Sequence, residues 1–382
     1  MAIADTNVLF KDNNSAVEAY LKLIKEGLDS NYEVFLANGS DTCNETKPIG
    51  SSPFKNGLKF VYKTLFPSIF QNKKERLIQN KVAKAVENIS NKEFDLLVEF
   101  NEYGSDLCSE IKNKSSRPTL LVFDAPLVDK YSTFNSPGDS FKKWLREKER
   151  LSVENASHIF CYSNPVKDYL KKNYKISNPI TVFPCISSNT INNPVSLKKS
   201  NEVRIGFVGS FLKWHKVDLL VNAFEVLAAK YENIYLDLIG NGMEWENIKK
   251  KVSLSKYRTR IDLPGFSFGE ELATYKQKLH IGVMPGSNWF GSPIKIFEYA
   301  NLKLPVVAAS EPTILDLFKK DEEILFIDKQ DELNSLVKHL EELILSEEKR
   351  ATLGESIYLK HKESYSKKEY FRVLNEIVKK YI

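Results

Sequence analysis

The sequence predicts an α/β protein made of two Rossmann-like domains, and three observations support this fold class. At 382 residues, the chain is too long for one ordinary hydrophobic core and suits two. Short β-branched or aromatic runs alternate with segments of helical period, which is typical of parallel sheets covered by helices. A polar stretch rich in Asn and Ser, residues 187–201, interrupts this alternation and indicates a linker.

This alternation places the elements of both domains, which we expect over residues 1–190 and 201–382. The predicted strands of the first domain are 34–37, 96–100, 120–123, 159–162 and 180–183, and its predicted helices are 15–28, 73–89 and 141–154. The predicted strands of the second domain are 203–208, 234–239, 281–284, 306–309 and 324–327, with helices after the first, second, fourth and fifth. A last helix, 367–382, is able to pack on either domain.

Composition and the first residues limit the expected location of the protein in the cell. Hydrophobic residues make up 42% of the chain and charged residues 27%, as in a folded protein. The N-terminus lacks the basic and apolar regions of a signal peptide, and no apolar run is long enough to span a membrane, so we expect a cytoplasmic protein. The wide spacing of Cys43, Cys108, Cys161 and Cys185 predicts free thiols and no zinc site.

The net charge of +5 is modest but unevenly distributed, and it does not indicate a nucleic-acid partner. Residues 53–84 carry eight Lys or Arg and one Glu, interleaved with aromatic and aliphatic residues. This mixture fits the headgroup layer of an anionic membrane. It equally fits a solvated helix face whose aromatic side chains belong to the core.

The first candidate binding feature is a glycine turn after a predicted strand. Gly209 and Ser210 follow strand 203–208, and Lys213 and His215 come before the next helix. Glycine lets the backbone approach a phosphate, and a helix N-terminus offers N–H groups and the positive end of a dipole. The pattern therefore favours anion binding, while a strand-end glycine alone also fits a plain turn.

A stronger feature is the loop 285–293 with the helix that follows it. The loop is rich in Gly, Ser and Asn, Pro293 lies near the helix start, and Lys295 and Glu298 follow one turn apart. Small residues leave amides open to a diphosphate, Lys295 adds a cation, and Glu298 can accept hydrogen bonds from two ribose hydroxyls. The alternative is an ordinary exposed Lys/Glu pair. Both loops follow strands of one predicted sheet, whose carboxyl ends are where such sheets bind ligands.

Two further turns extend this rim. One covers residues 238–242 and contains Asn241, and the other covers 263–267 and contains Phe266 and Ser267. One interpretation is that Phe266 packs beside a nucleobase, while backbone atoms of Phe266 and Ser267 form hydrogen bonds with the edge of that base. Either turn also fits plain turn chemistry.

Four stretches, in this order, resemble the donor domain of family 4 of the retaining glycosyltransferases (GT4), which have the GT-B fold of two Rossmann-like domains facing each other across a cleft. They are GFVGSFLKWHKVDLLVNAF, LDLIGNGMEWENIKK, IDLPGFSFGEELATYKQKLHIGVMPG and SPIKIFEYANLKLPVVAA, and they cover about residues 203–311. The resemblance implies sugar transfer from a UDP-, GDP- or similar nucleotide sugar with retained anomeric configuration. It implies no required metal or other cofactor, because cations and amides stabilise the leaving diphosphate.

The resemblance also implies roles for single residues. Glu298 would bind the donor ribose, the turn at Gly209 and Ser210 would face the diphosphate, and His215 and Lys295 would neutralise its charge. The other residues implied to contact the donor are Asn241, Phe266, Ser267, Gly291, Ser292, Pro293 and Ile294.

Three positions depart from the family pattern. Phe290 stands where the first acid of a paired-glutamate motif is expected, which leaves the hexose to main-chain amides near Gly291 and Ser292. Ser210 stands where an Arg is often found. His215 replaces a more usual Lys, and this predicts a diphosphate affinity that weakens as pH rises through the imidazole pKa.

The first half of the chain matches the family only loosely, and in the family this half binds the acceptor. A side chain after the fourth strand is often His there, and Asp124 is the nearest match. Asp124 could contact the donor sugar or an acceptor hydroxyl, or merely cap a turn before Pro126. Residues 5–7 replace the usual glycine-rich turn after the first strand.

Together these residues predict a glycosyltransferase of the hexosyltransferase type, with Asp124, Lys295 and Glu298 as catalytic residues. We expect a glycan or lipid-linked acceptor of surface polysaccharide or glycoconjugate synthesis, met at the inner membrane face through residues 53–84. One rival is a nucleotide-sugar epimerase, which would release free sugar without transfer. Another is a non-catalytic partner subunit, which Phe290 favours and which would not need both Lys295 and Glu298.

Overall fold

The computed structural model describes residues 2–5, 23–28, 32, 35–38, 67–90, 93–102, 104–186 and 201–382. The chain divides into two compact units. The N-terminal unit comprises Met1–Phe183 and the returning segment Phe371–Ile382, and the C-terminal unit comprises Pro184–Tyr370. Each unit is built on its own parallel sheet.

In its described part, the N-terminal unit has a sheet with the strand order β2-β1-β3-β4-β5-β6, and all neighbours are parallel. The strands are β1 (Ala2–Asp5), β2 (Phe35–Asn38), β3 (Leu97–Phe100), β4 (Thr119–Phe123), β5 (His158–Cys161) and β6 (Ile180–Val182). Every residue of β3, β4 and β5 is buried. Burial on both faces is what helices packed on either side of a parallel sheet produce.

The helices of this unit connect successive strands. In the described part of the unit they are α1 (Pro67–Ser90), α2 (Leu107–Lys114), α3 (Leu127–Ser132), α4 (Asp139–Asn155) and α5 (Asn164–Asn173), and residues 23–28 are helical as well. One apolar cluster joins α1, β3 and α2 through Ile78, Val86, Leu97 and Ile111. The Ser163 hydroxyl accepts from Val166 N at 3.4 Å and caps the start of α5.

The C-terminal unit has a second parallel sheet with the order β12-β11-β10-β7-β8-β9. Its strands are β7 (Val203–Val208), β8 (Ile234–Ile239), β9 (Ile261–Gly265), β10 (Ile281–Met284), β11 (Val306–Ala309) and β12 (Leu325–Ile327). Because neighbouring strands are parallel, their carboxyl ends meet along one edge of the sheet. The loops after β7, β8, β9 and β10 are therefore neighbours.

Helices separate these strands, and three more follow the last one, the third of which continues into the N-terminal unit. They are α6 (Val217–Ala228), α7 (Trp245–Leu254), α8 (Gly269–Lys278), α9 (Ile294–Asn301), α10 (Pro312–Leu315), α11 (Glu332–Leu345), α12 (Glu347–Ser364) and α13 (Lys367–Val378). The core packs α6 and α11 on the central strands, with Phe207, Phe224, Leu236 and Leu340 fully buried. Each such side chain contributes roughly 1.5–3 kcal/mol through removal of apolar surface from water.

The predicted α/β class of two parallel sheets is confirmed, and the strands predicted in the second half are found within one residue of their predicted bounds. Pattern analysis missed β9 as a strand because Asp262 and Pro264 break its apolar run. Proline is tolerated here because β9 is an edge strand, where no partner needs its missing N–H. It also missed α2, α3, α5 and α8, whereas the helix predicted to start near Pro293 is found as α9.

Several other predictions can be compared with the described residues. Beyond Phe371, the end of the chain lies in the N-terminal unit, where Tyr381 Oη donates to Ser157 O at 3.0 Å. Cys108, Cys161 and Cys185 are buried free thiols, as predicted. Cys43, residues 15–22 of a predicted helix, residues 6–7 and the linker residues 187–200 lie outside the described residues. In the part of the chain that the structure describes, no helix is long and apolar enough to cross a membrane.

Candidate functional site at the carboxyl edge of the C-terminal sheet

Three loops at this edge are joined by main-chain hydrogen bonds. Gly209 N donates to Ile239 O at 2.9 Å, Gly240 N donates to Gly265 O at 2.8 Å, and Phe211 N donates to the Asn241 main-chain carbonyl at 2.9 Å. The loops after β7, β8 and β9 therefore form one fixed rim, whose geometry depends on the backbone rather than on mobile side chains.

Glycine is required at two positions of this rim. Gly209 has φ +148° and Gly240 has φ +141°, a backbone region that residues with a side chain rarely adopt. A Cβ on Gly240 would lie 1.9 Å from Gly209 O, and one on Gly209 would lie 2.1 Å from Lys295 Cε. The Lys295 side chain thus lies directly over the Gly209 turn, as the sequence predicts for two parts of one anion site.

Lys295, in the first turn of α9, contacts His215 across 80 residues of sequence. Its Nζ lies 3.1 Å from His215 Nε2, and His215 Nδ1 lies 2.5 Å from Ser210 O. The carbonyl can only accept, so Nδ1 carries the proton and Nε2 accepts from the lysine. His215 is only 7% exposed, so this chain of contacts is largely shielded from water.

Burial sets the charges of this pair. It lowers the pKa of His215 to about 3, with the Lys295 charge as a second cause. Burial also lowers the pKa of Lys295 to about 8, and nearby Glu298 opposes that shift. At neutral pH the imidazole is uncharged and Lys295 is the cation. The expected loss of anion affinity through an imidazole pKa near neutrality is therefore wrong, because desolvation keeps His215 neutral throughout that range.

Glu298, one turn further along α9, has a cation of its own. Lys276 Nζ, from α8, lies 2.7 Å from Glu298 Oε2, and the two side chains are 5% and 19% exposed. The alternative of an ordinary exposed Lys/Glu pair is therefore excluded, since Lys295 contacts His215 and Glu298 contacts Lys276. The next residue of the helix, Tyr299, accepts from Val208 N at 2.9 Å and ties α9 to the end of β7.

The loop before α9 is organised by Asn288, which sequence reasoning did not single out. Its Oδ1 accepts from Phe290 N at 3.3 Å and from Gly291 N at 2.5 Å. The Gly291 amide is thus bonded within the loop, contrary to its expected role as a sugar contact. Phe290 is 9% exposed and belongs to the core. Ser292 Oγ donates to Cys185 O at 2.8 Å.

The remaining predicted donor contacts lie on the same edge. Pro293 is buried and precedes α9, and Ile294 N donates to Ser292 O at 2.9 Å. Phe266 is 57% exposed and its ring stacks on that of Phe268, with centroids 6.1 Å apart. Ser267, between them, is buried. Exposed stacked aromatic rings of this kind offer an apolar face to a planar ligand.

The side chain of Asn241 serves its own turn. Its Oδ1 accepts from Gly242 N at 2.6 Å, and the residue is otherwise exposed to solvent. This contact is plain turn chemistry, which was one of the two readings of residues 238–242.

Asp124 lies at the carboxyl edge of the N-terminal sheet, just after β4. Lys130 Nζ, from α3, lies 2.8 Å from Asp124 Oδ2 and 2.7 Å from Glu102 Oε1. Burial raises the pKa of Asp124, and the Lys130 charge opposes the rise. Among the described residues, Asp124 Oδ1 is buried with no hydrogen-bond partner. Asp124 is thus more than a turn cap, because its carboxylate belongs to a buried cluster with Lys130 and Glu102.

Sequence reasoning missed Lys276, Lys130 and Glu102, whose partners come from other elements. Glu102 follows the end of β3 closely, and that position was the available signal, whereas Lys130 lies within α3 and had none. Within the described residues, no group of three or more His, Cys, Asp or Glu is placed to hold a metal ion.

Comparison with known proteins identifies first the class of fold. The structure superposes on sucrose-phosphate synthase from Thermosynechococcus elongatus with a TM-score of 0.74 and 16% identity, covering 99% of this chain and 98% of that one. It superposes on Anabaena HepE in complex with UDP and glucose with a TM-score of 0.70 and 15% identity, covering 99% and 98%. The fold is GT-B.

The sequence comparisons then identify the domain that carries the candidate site. Residues 188–360 match the family model described as Glycosyl transferases group 1. An uncharacterized glycosyltransferase of Haemophilus influenzae is 27% identical over 220 residues, which are 57% of this chain and 59% of that protein. The chain therefore matches less than two thirds of that relative. The C-terminal unit carries a glycosyl transferases group 1 domain.

Proposed function

We propose that the protein is a retaining, metal-independent glycosyltransferase of family 4, which transfers a hexose from a UDP- or GDP-type sugar. The observation that carries this proposal is the Lys295 cation lying over the Gly209 turn beside a neutral His215. A desolvated cation whose neighbour carries no charge favours an anion, and the diphosphate of a nucleotide sugar supplies one.

The donor's three parts fit three places along the edge. The diphosphate lies at the Gly209 and Ser210 turn and at the start of α9, where Lys295 offers hydrogen bonds and charge. Glu298 accepts hydrogen bonds from the vicinal hydroxyls of the ribose. The base packs on the exposed face of Phe266. Anabaena HepE, which shares the fold, was solved with UDP, and this supports a nucleoside diphosphate as the ligand.

The chemistry proposed for this site is departure of the nucleoside diphosphate. Negative charge accumulates on the β-phosphate as the glycosidic bond breaks, and Lys295 stabilises that charge in the transition state. No metal is needed for this step in our proposal. Because Phe290 is buried and Gly291 N is bonded to Asn288, the hexose contacts are expected from the Ser292 region.

The acceptor half of the reaction is assigned to the N-terminal unit. Asp124 Oδ1, buried and without a partner among the described residues, would accept a hydrogen bond from a sugar hydroxyl of donor or acceptor. A glycan or lipid-linked acceptor at the inner membrane face, and a peripheral contact through residues 53–84, complete the proposal. Of that segment, only the helix from Pro67 onward is described.

A thermal-shift screen against UDP, GDP, ADP and CMP, with and without magnesium, tests the proposal. We expect one nucleoside diphosphate to raise the melting temperature equally with and without the metal, and Glu298→Ala to lose most of that shift. No response to any nucleotide would favour the non-catalytic subunit. Release of free sugar of changed configuration, without transfer, would instead indicate an epimerase.

A further inference from the structure

Lys276 is a buried cation that the donor chemistry described above does not use. It lies on α8, which β8 and β9 separate in sequence from the loop at Gly209. Its side chain is 5% exposed. A buried ammonium is costly unless it is paired. The partner that the structure gives it is Glu298 Oε2, at 2.7 Å.

The position of this pair is unusual for a purely structural ion pair. Two well-packed hydrophobic residues of similar volume, at positions 276 and 298 together, would stabilise the packing of α8 against α9 about equally well. The pair instead joins α8 to α9 at Glu298, one turn along the helix from Lys295. Lys278, on the same helix, provides a contrast, because it is exposed and its Nζ lies 5.5 Å from the Tyr275 ring centroid.

The carboxylate of a glutamate is not fixed by its own rotamer, because rotation about its last torsion is broad. A contact that holds one oxygen fixes the plane of the group and hence the direction of the other oxygen. Lys276 holds Oε2 in this way from a buried, well-packed position.

We propose that Lys276 is a positioning residue for ribose recognition, which holds Glu298 by Oε2 and presents Oε1 to the vicinal hydroxyls of the donor ribose. This inference rests on the proposed function. It makes Lys276 a determinant of selectivity for ribonucleotides over nucleotides that lack those hydroxyls, without contact between Lys276 and the phosphates.

The test is calorimetric titration of the full chain with UDP and with 2′,3′-dideoxy-UDP, and with the two corresponding guanosine compounds. The variants are Lys276→Met, Glu298→Gln and the double variant, with Lys278→Met as the matched control on the same helix. Lys276→Gln serves as a second variant should Lys276→Met not fold. Melting temperatures without ligand report whether each variant is folded.

We expect Lys276→Met to weaken binding of the ribonucleotide about tenfold, the scale of one charge-assisted hydrogen bond. Binding of the dideoxy compound should change less than about twofold. The double variant should match Glu298→Gln, since both changes remove one interaction, and Lys278→Met should bind like the unmodified chain.

Two results would overturn the inference while leaving the proposed function intact. One is a ribonucleotide affinity unchanged by Lys276→Met although Glu298→Gln weakens it. The other is an equal loss for ribose and dideoxyribose ligands, which would make Lys276 a structural residue or a phosphate contact. Absence of nucleotide binding by the unmodified chain, or normal binding by Glu298→Gln, would instead overturn the proposed function itself.

Discussion

The carboxyl edges of the two sheets hold lysines in opposite electrostatic settings. In the N-terminal unit, Lys130 Nζ lies 2.7 Å from Glu102 and 2.8 Å from Asp124. In the C-terminal unit, Lys295 Nζ lies 3.1 Å from the neutral imidazole of His215. Two carboxylates balance the charge of Lys130. The nearest contact of Lys295 is a neutral imidazole, which supplies no balancing charge. Of the two described lysines, Lys295 is therefore the one whose surroundings favour an anion from outside.

Loss of each lysine should therefore affect folding differently, and this is the largest effect that we expect. Lys130→Met leaves two carboxylates buried together without their cation, which should lower the free energy of unfolding by about 3 kcal/mol. Lys295→Met removes a cation that burial disfavours, and should leave the free energy of unfolding within about 1 kcal/mol of its original value. Urea denaturation at pH 7 measures both.

An exposed pair provides the control for that comparison. Lys142 Nζ lies 3.4 Å from Asp139, whose side chain is fully exposed, so Lys142→Met should have little effect. Equal losses for Lys130→Met and Lys295→Met would remove the electrostatic difference between the two edges.

Much of the C-terminal edge was predictable from sequence, because its signals are local. Apolar runs mark β7, β8 and β10. Gly209 and Gly240 mark turns in which neighbouring atoms leave no room for a side chain. The charge of His215 was not predictable, since the desolvation and the lysine that keep it neutral come from residues far along the chain. The same holds for Lys276, whose partner lies on another helix. At the N-terminal edge, Asp124 was visible but its pairing with Lys130 was not.

A titrating side chain holds the loop that carries Asp124, whereas main-chain hydrogen bonds hold the C-terminal rim. Glu149 is buried and accepts hydrogen bonds from Leu127 N, from Tyr174 Oη and, at 2.9 Å, from Tyr169 Oη. Burial raises its pKa from 4.5 to about 7. The protonated form therefore favours folding, and this contribution is complete below about pH 4.5 and is lost as pH rises through about 7.

Glu149→Gln should abolish that dependence. Relative to the variant, the unmodified chain should lose up to about 3 kcal/mol of unfolding free energy between pH 4.5 and pH 8. Parallel urea titrations across this range measure the difference. A constant difference between the two proteins would show that Glu149 does not titrate near neutral pH.

The C-terminal rim should instead respond to loss of a glycine. Gly209→Ala places a Cβ 2.1 Å from Lys295 Cε at φ +148°, so the lysine must move. We expect a loss of about 2 kcal/mol in stability and about tenfold in nucleoside diphosphate affinity. Gly269→Ala is the matched control, because its φ is +57° and no atom lies within 4 Å of the added Cβ. Equal loss of affinity in both variants would exclude displacement of Lys295 as the cause.

The smallest expected effect concerns the pH dependence of binding. Because the pKa of Lys295 is about 8, affinity for the diphosphate should fall about tenfold between pH 7.5 and pH 9 as the free protein loses this charge. The pKa of His215, about 3, predicts no such fall near pH 6.5. A decrease centred on pH 6.5 that disappears in His215→Asn would show that the imidazole is the charged group after all.

Calorimetric titration of UDP and GDP into the unmodified chain and Lys295→Met, at pH 7.5 without magnesium, tests the central claim most directly. We predict that one nucleotide binds the unmodified chain without metal, and that Lys295→Met, still folded, binds it more weakly by about 2 kcal/mol, the value of a hydrogen bond to a charged group. Equal affinities for the two proteins, or no binding of either nucleotide by the unmodified chain, would contradict the claim that Lys295 is held for the diphosphate of a sugar donor.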